Sequence, residues 1–256
     1  MNQNSKISDA VTDEMVSDYR RDGFVRVPGI VDRREALEWG RAAERFAAEH
    51  ADYNKKGGQD VFSQHVNAWQ LDETMRRLTL DPRVAAAATR LAGVPLRLWH
   101  DQILIKAPRN GAATEFHQDQ PYWPHTNSSH PISMWIALCD VPVERGCMTF
   151  IPGSQVRTDL RAQDLGDAGS LMSICPDFRW RPRVTVPLRA GDCTFHHGRC
   201  AHMATPNHTD EPRIAHVAIF VDRGTAFSGE AGHGVTDALE LEPGQTLPDA
   251  PFPPIG

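Results

Sequence analysis

The hydrophobic pattern changes character once along the chain. Up to about residue 95 the apolar positions recur at helical spacing. Beyond it they alternate, or run in short blocks rich in Val, Ile, Thr and aromatic residues. In the first part Thr12 stands where it can cap a helix with Asp13 and Glu14 in its first turn and Gly23 at its end. A short strand, Phe24 to Val27, is expected next. Asp32 then caps a longer helix over REALEWGRAAERFAAEH, with Ala36, Leu37, Ala43, Phe46 and Ala47 at helical spacing. Glu73 to Leu80 and Pro82 to Ala92 predict further short helices, the latter with proline at its start and Gly93 just past its end.

From Leu96 the segments LRLWHDQILIKA, TEFHQD, ISMWIALCDV, CMTFIP, RVTVPL, CTFHH and RIAHVAIFV predict strands punctuated by Pro and Gly. An antiparallel sandwich or barrel with helices on its N-terminal side follows. The longest interruption, Gln155 to Arg181, has mixed charge and contains Gly166 and Gly169; it is either a lid or a surface loop. Pro243 to Gly256 holds five prolines and predicts an extended tail.

At 256 residues the chain is at the upper end of what one hydrophobic core serves. A single domain is therefore expected over 1–256: helical support in 1–95, a β core in 96–222 and an extended C-terminal tail in 223–256. Lys and Arg number 27 against 33 Asp and Glu, a net charge of −6, which disfavours nucleic acid or a membrane surface as partner. The odd number of cysteines, 5, and an opening segment without a basic-then-apolar pattern suggest a reduced, cytoplasmic setting. No apolar run approaches the roughly 18–20 residues of a membrane-spanning helix. The expectation is an enzyme domain, monomer or homodimer, acting on a small molecule.

Of the 12 histidines, nine lie between His100 and His216. On an extended strand His117 and Asp119 point to one face, which offers an imidazole and a carboxylate to one metal ion; with a third ligand they make the facial triad of iron(II) oxygenases. H-x-D alone arises readily by chance. Gly191 to Arg213 offers His196, His197 or His202 as the third ligand. Cys193, His196, His197 and Cys200 also have spacings used by structural zinc, but the segment reads as a strand entering a loop rather than the tight turns of such sites, and the cysteines read as small buried hydrophobes. Alternation along the final strand places Arg213, Ala215, Val217 and Ile219 on one face. A charged head among small apolar neighbours needs an anionic partner.

Several pieces occur in a fixed order: DGFVRVPGIV (22–31), Lys106 and Pro108 as K-x-P, F-H-Q-D (116–119), MWIAL (134–138), GCMTFIPGS (146–154), Gly191-Asp192, H-G-x-x-x-H (197–202), Pro206-Asn207 and Arg213. Together, from about Asp101 to Val221, they resemble the phytanoyl-CoA dioxygenase family of iron(II)/2-oxoglutarate oxygenases. The resemblance implies a mainly β fold with a helical annex, a double-stranded β-helix (jelly roll, cupin-like) flanked by N-terminal α-helices. It implies that His117, Asp119 and His202 ligate Fe(II) and that Arg213 binds the far carboxylate of 2-oxoglutarate. Trp135 and Gln102 fall where family members contact that co-substrate.

The implied activity is that of an oxidoreductase, a dioxygenase using Fe(II), 2-oxoglutarate and O2. It would hydroxylate an unactivated C–H bond of a secondary metabolite or amino-acid-like compound and release succinate and CO2. Epimerisation, desaturation or cyclisation with the same cofactors, and a non-catalytic metal- or small-molecule-binding jelly roll, are the alternatives. Substrate contacts are expected from Tyr122, Trp123 and His125, just after the metal pair, and from Phe62, Asn67 and Trp69. Arg157 and Arg161 are candidates for an anionic substrate. Glu144-Arg145-Gly146-Cys147 departs from the family's E-N-G-C, and Gln155 replaces its His after P-G-S; both are expected to reshape a substrate wall. No basic cluster offers a phosphate cradle for coenzyme A. Retention of Asp119 separates the chain from the related halogenases.

Overall fold

Helix α1 (Asp13–Asp22) starts where Thr12 accepts a hydrogen bond from the Met15 amide at 3.2 Å, a cap worth about 1 kcal/mol. Gly23, at φ 81°, takes the left-handed conformation that ends it and delivers the chain into β1 (Phe24–Val27). The computed structural model describes residues 10–50, 55–57, 61–165 and 167–256. Asp32 caps α2 (Arg33–Glu49), which buries Ala36, Trp39, Ala43 and Phe46. Helices α3 (Ala68–Leu71), α4 (Glu73–Thr79) and α5 (Pro82–Ala92) follow, with Asp72 and Asp81 capping the latter pair.

The remaining strands are β2 (Lys55–Gly57), β3 (Phe62–Val66), β4 (Leu96–Lys106), β5 (Thr114–His117), β6 (His125–Thr126), β7 (Ile132–Ala137), β8 (Met148–Phe150), β9 (Val184–Val186), β10 (Cys193–His197), β11 (His202–Ala204), β12 (Arg213–Asp222), β13 (Ala226–Phe227) and β14 (Pro254–Ile255). Eight form a larger sheet in the order β1-β10-β7-β12-β4-β3-β2, with β14 also on β4; four form a smaller one, β5-β11-β8-β9; β13 and β6 pair separately. The fold is mainly β, a jelly roll with α-helices on its N-terminal side. A central apolar cluster runs from Tyr19 of α1 through the larger sheet to Phe252.

Alternation divides the larger sheet. His100, Gln102 and Leu104 of β4, with Arg213, Val217 and Ile219 of β12, line an internal cavity. The intervening Asp101 and His216 meet the helices. Pairing of β12 with β4 sets Arg213 opposite Lys106 and Val217 opposite Gln102, while β7 sets Trp135 on the other side of Val217.

The expected extended tail is corrected in part. The proline-rich end forms no helix, but it is held down: Phe252 is fully buried and stacked on Trp99, β14 pairs with β4, and the Arg97 guanidinium donates to the Leu247 carbonyl and Asp249. Val235, Leu247 and Phe252 supply apolar surface whose burial outweighs the lack of regular structure. The stretch from Gln155 to Arg181 is likewise seated. It contains α6 (Ser170–Ile174), and Leu160, Leu171, Met172 and Phe178 pack with Phe116 and Ile151. Gly166 and residues 1–9 lie outside the described residues. All five cysteines are free and buried. Among the described residues no helix is long and apolar enough to cross a membrane.

Beneath the cavity floor Asp101 Oδ2 accepts from the Trp69 amide at 3.0 Å and from Thr79 Oγ at 2.9 Å, and Thr79 Oγ lies 3.0 Å from His216 Nε2. Burial pushes the Asp101 carboxyl up to about 7 and the His216 imidazole down to about 3. An unfolded Asp titrates near ~3.9, so between that pH and about 7 the folded chain holds the extra proton. This group's contribution to stability is then present at low pH and is lost as pH rises through 7. Urea midpoints at pH 5 and pH 7.5 are expected to fall more for the wild type than for Asp101→Asn, which removes the ionisation.

Candidate active site

Strand β5 ends at His117, and Asp119 has helical backbone (φ −72°, ψ −47°) ahead of a 3₁₀ turn, Gln120–Tyr122. The two residues therefore do not share a strand face as expected. The turn itself brings Asp119 Oδ1 to 3.3 Å from His117 Nε2. Gln118 pins this turn from within the core. Its main-chain N–H donates to Gln163 Oε1 at 2.8 Å, and its side-chain amide donates to the Arg199 and Arg157 carbonyls at 2.7 and 3.2 Å.

Strand β11 pairs with β5 so that His202 lies opposite His117, ring centroids 4.3 Å apart. His202 Nε2 is 3.6 Å from Asp119 Oδ1. The ligand atoms of His117, Asp119 and His202 all lie within 4.8 Å of one another. Each imidazole is oriented from behind: His117 Nδ1–H donates to the Glu115 carbonyl at 2.7 Å and His202 Nδ1–H to that of Cys200 at 2.9 Å. Since a carbonyl only accepts, both rings hold their proton at Nδ1 and turn an Nε2 lone pair toward Asp119. Burial pushes His202 down to about 3 and keeps it neutral. One carboxylate and two neutral imidazoles fit a divalent iron ion with positions left open.

The other candidate ligands are placed differently. His197 turns its Nε2 to the Ser129 carbonyl at 3.1 Å, and His196 faces the second oxygen of Asp119. Cys193 and Cys200 join no cluster: among the described residues His117, Asp119 and His202 form the one group with metal-ligand spacing. The structural zinc reading gains no support.

At the other end of the cavity Arg213 is 2% exposed. Its guanidinium lies over the Trp135 ring, 5.3 Å from the centroid, and donates one bond, to the Leu104 carbonyl at 3.2 Å; Nε has no partner among the described residues. Lys106 is fully buried beside it, and its ammonium donates to the Ala112 and Thr205 carbonyls, both at 2.9 Å. Burial pushes Arg213 down to about 10; burial and the Arg213 charge push Lys106 down to about 7. Gly146, at φ 73°, permits the packing, since a Cβ there would stand 3.1 Å from Arg213 Nε. An unpaired buried cation costs several kcal/mol, and among the described residues the hydrogen bonds of both side chains go to backbone carbonyls rather than to a carboxylate. A carboxylate in the cavity would offset this cost at Arg213, which lines it and has the planar fork to grip one.

Between the two ends lies a cavity of about 300 Å³. Trp135 and Gln102 line it, as do Phe62, Tyr122 and Trp123. The remaining expected contacts do not. His125 is half-buried between Trp99 and Trp123, pushed down to about 4 by burial and the neighbouring His233. Asn67, at φ 60°, starts α3 with its amide bound to the Asp101 carbonyl, and Trp69 packs in the helical core. Arg157 pairs with Asp159, and Arg161 is exposed. Neither departure from the family motif forms a substrate wall. Gln155 donates to the Arg20 and Arg21 carbonyls at the end of α1, and Arg145 donates to the Asp140 and Pro212 carbonyls. His100, Gln64, Leu165 and His233 line the cavity unforeseen. His100 was discoverable, being two residues before Gln102 on one strand face.

The model of the family described as phytanoyl-CoA dioxygenase (PhyH) matches residues 19–215. The chain belongs to the phytanoyl-CoA dioxygenase family. It is 28% identical over 190 residues to phytanoyl-CoA dioxygenase domain-containing protein 1 of Mus musculus, an alignment covering 72% of this chain. The chain spans only 62% of that relative's length. Among solved structures, the non-heme α-ketoglutarate-dependent carbocyclase SnoK from nogalamycin biosynthesis is 34% identical, with a TM-score of 0.88 over 97% of this chain and 98% of that one. The epimerase SnoN, solved with Fe3+, α-ketoglutarate and nogalamycin RO, is 38% identical, with a TM-score of 0.83 over 98% of this chain and 99% of that one. The family is described as a dioxygenase family, and the SnoN structure holds Fe3+ and α-ketoglutarate.

Arg213→Ala is expected to weaken 2-oxoglutarate binding by about 30-fold or more, as for the loss of a charge-assisted contact worth about 2 kcal/mol. Calorimetry of 2-oxoglutarate into the Co(II)-loaded protein checks this, with Co(II) affinity itself unchanged.

Proposed function

We propose that this protein is an iron(II)- and 2-oxoglutarate-dependent oxygenase that oxidises an unactivated C–H bond of an uncharged secondary metabolite. The observation that carries the reading is a single cavity lined by the His117–Asp119–His202 group and by the Arg213 guanidinium, which has no ion-pair partner among the described residues and an Nε without a hydrogen bond. When bound, iron and 2-oxoglutarate supply the oxidation, spending dioxygen and releasing succinate and CO2. The chain does the rest. His117, Asp119 and His202 would hold the metal, and Arg213 would clamp the far carboxylate over Trp135. Phe62, Tyr122, Trp123 and Leu165 keep water from the target bond and orient it.

The lining favours the secondary metabolite over an amino-acid-like substrate. Beyond Asp119 and Arg213, which the cofactors claim, no Lys, Arg, Glu or second Asp among the described residues faces the cavity to meet an ammonium or carboxylate. The likeness to a carbocyclase and an epimerase of nogalamycin biosynthesis supports the same choice. The net charge of −6 supports a small-molecule partner rather than nucleic acid or membrane.

Anaerobic addition of Fe(II) and then 2-oxoglutarate is expected to raise a visible charge-transfer band that needs both additions and is lost in Asp119→Ala. Metal binding without the band would turn the reading to a non-catalytic binding jelly roll. Succinate release stimulated by candidate metabolites then finds the substrate, and product mass identifies the outcome. Hydroxylation adds one oxygen, epimerisation leaves the mass unchanged, and desaturation or ring closure removes two hydrogens.

A further inference from the structure

The second oxygen of Asp119 is engaged. While Oδ1 faces His117 and His202, Oδ2 lies 3.3 Å from Ser133 Oγ and 3.4 Å from His196 Nε2. His196 of β10 and Ser133 of β7 are directly paired, so both groups reach Asp119 from one rung of the larger sheet. His196 is 2% exposed, and no described group lies within hydrogen-bond reach of its Nδ1. A neutral imidazole carries one ring proton. At Nδ1 that proton would be a stranded buried donor, and the Nε2 lone pair would face a carboxylate oxygen. The proton therefore belongs at Nε2, donated to Oδ2.

We propose that His196 is a positioning residue for the metal centre: its Nε2–H, with the Ser133 hydroxyl, occupies Asp119 Oδ2 so that the carboxylate offers a metal one oxygen only. The proposal rests on the reading of His117, Asp119 and His202 as metal ligands. A carboxylate free to rotate about its Cβ–Cγ bond can chelate with both oxygens and take a position that co-substrate or oxygen needs. His196 also closes the question its sequence position raises. With a proton on Nε2 and that atom aimed at Oδ2, it is not itself a ligand.

The test is a titration of the purified full chain with Co(II) alone, followed by visible absorption, which reads both affinity and coordination. His196→Phe keeps a ring but removes the donor; His196→Gln returns an N–H near the Nε2 position. Loss of such an outer hydrogen bond typically weakens metal affinity by about 10–100-fold. That loss, with an altered ligand-field spectrum, is expected for His196→Phe, with most of both restored in His196→Gln and a smaller change of the same sense in Ser133→Ala.

Unchanged affinity and spectrum in His196→Phe would overturn the proposal. So would equal weakening in the Phe and Gln variants, which marks packing rather than donation. A loss as large as that of His117→Ala, unrescued by Gln, would make His196 a ligand and overturn it too. If His196→Phe does not fold, unchanged affinity and spectrum in Ser133→Ala decide against the proposal, and weakening in Ser133→Ala with His196→Gln near wild type decides for it. Failure of the metal reading looks different: the unaltered protein would not bind Co(II), or Asp119→Ala would bind it equally well.

Discussion

The pairing of β5 with β11 is the constraint on which the site depends. It sets His202 directly opposite His117, and because side chains alternate along a strand, a slip of one residue would turn one imidazole out of the cavity. Both strands are short, so the register needs help from outside the ladder. It comes from Gln118 and from the backbone carbonyls of Glu115 and Cys200, which hold the rings from behind. The polar bonds around the triad thus do structural work first, and the readiness of the two Nε2 lone pairs follows from it.

The larger sheet answers with opposite charge. Arg213 and Lys106, brought side by side by the β12–β4 register, are two cations in a place where charge is costly. The carbonyls around them and the Trp135 face compensate only part of that cost. At Arg213, which lines the cavity, an anion would offset what remains. A dicarboxylate spanning from Arg213 toward Asp119 and its imidazoles would meet a cation at one end and a metal at the other, which is the polarity an extended keto diacid requires.

Local chemistry was legible in the chain, and long-range packing was not. Thr12, Asp32, Gly23 and Gly93 end helices through their own side chains or backbone, so those boundaries could be read directly. Period-two alternation gave most strands and the shared face of Arg213, Val217 and Ile219. The triad and Arg213 came from motif order, since spacing alone left His196, His197 and His202 equivalent. The strand geometry assumed for His117 and Asp119 was wrong because a turn begins between them. Gln155 looked like a substrate residue but serves the end of α1. His233 and Leu165 carry no local signal at all. They reach the cavity because distant segments fold back onto it, and in the C-terminal segment closely spaced prolines obscured the apolar residues that hold it there.

Leu165 is carried by a stretch that Gln118 and Tyr122 tie to the metal turn through Gln163: Tyr122 donates to the Gln163 carbonyl and accepts from its amide at 3.0 Å. Beyond that tie α6 and Phe178 pack against Phe116 and Ile151 before β9 begins. The cofactor groups sit on strands or against them, whereas much of the substrate wall belongs to connecting segments that tolerate insertion and exchange. Such a division makes the molecule evolvable: the connecting segments that bring Leu165 and His233 to the cavity can change and recruit new metabolites, while the ladder that keeps His117 opposite His202 is inherited intact.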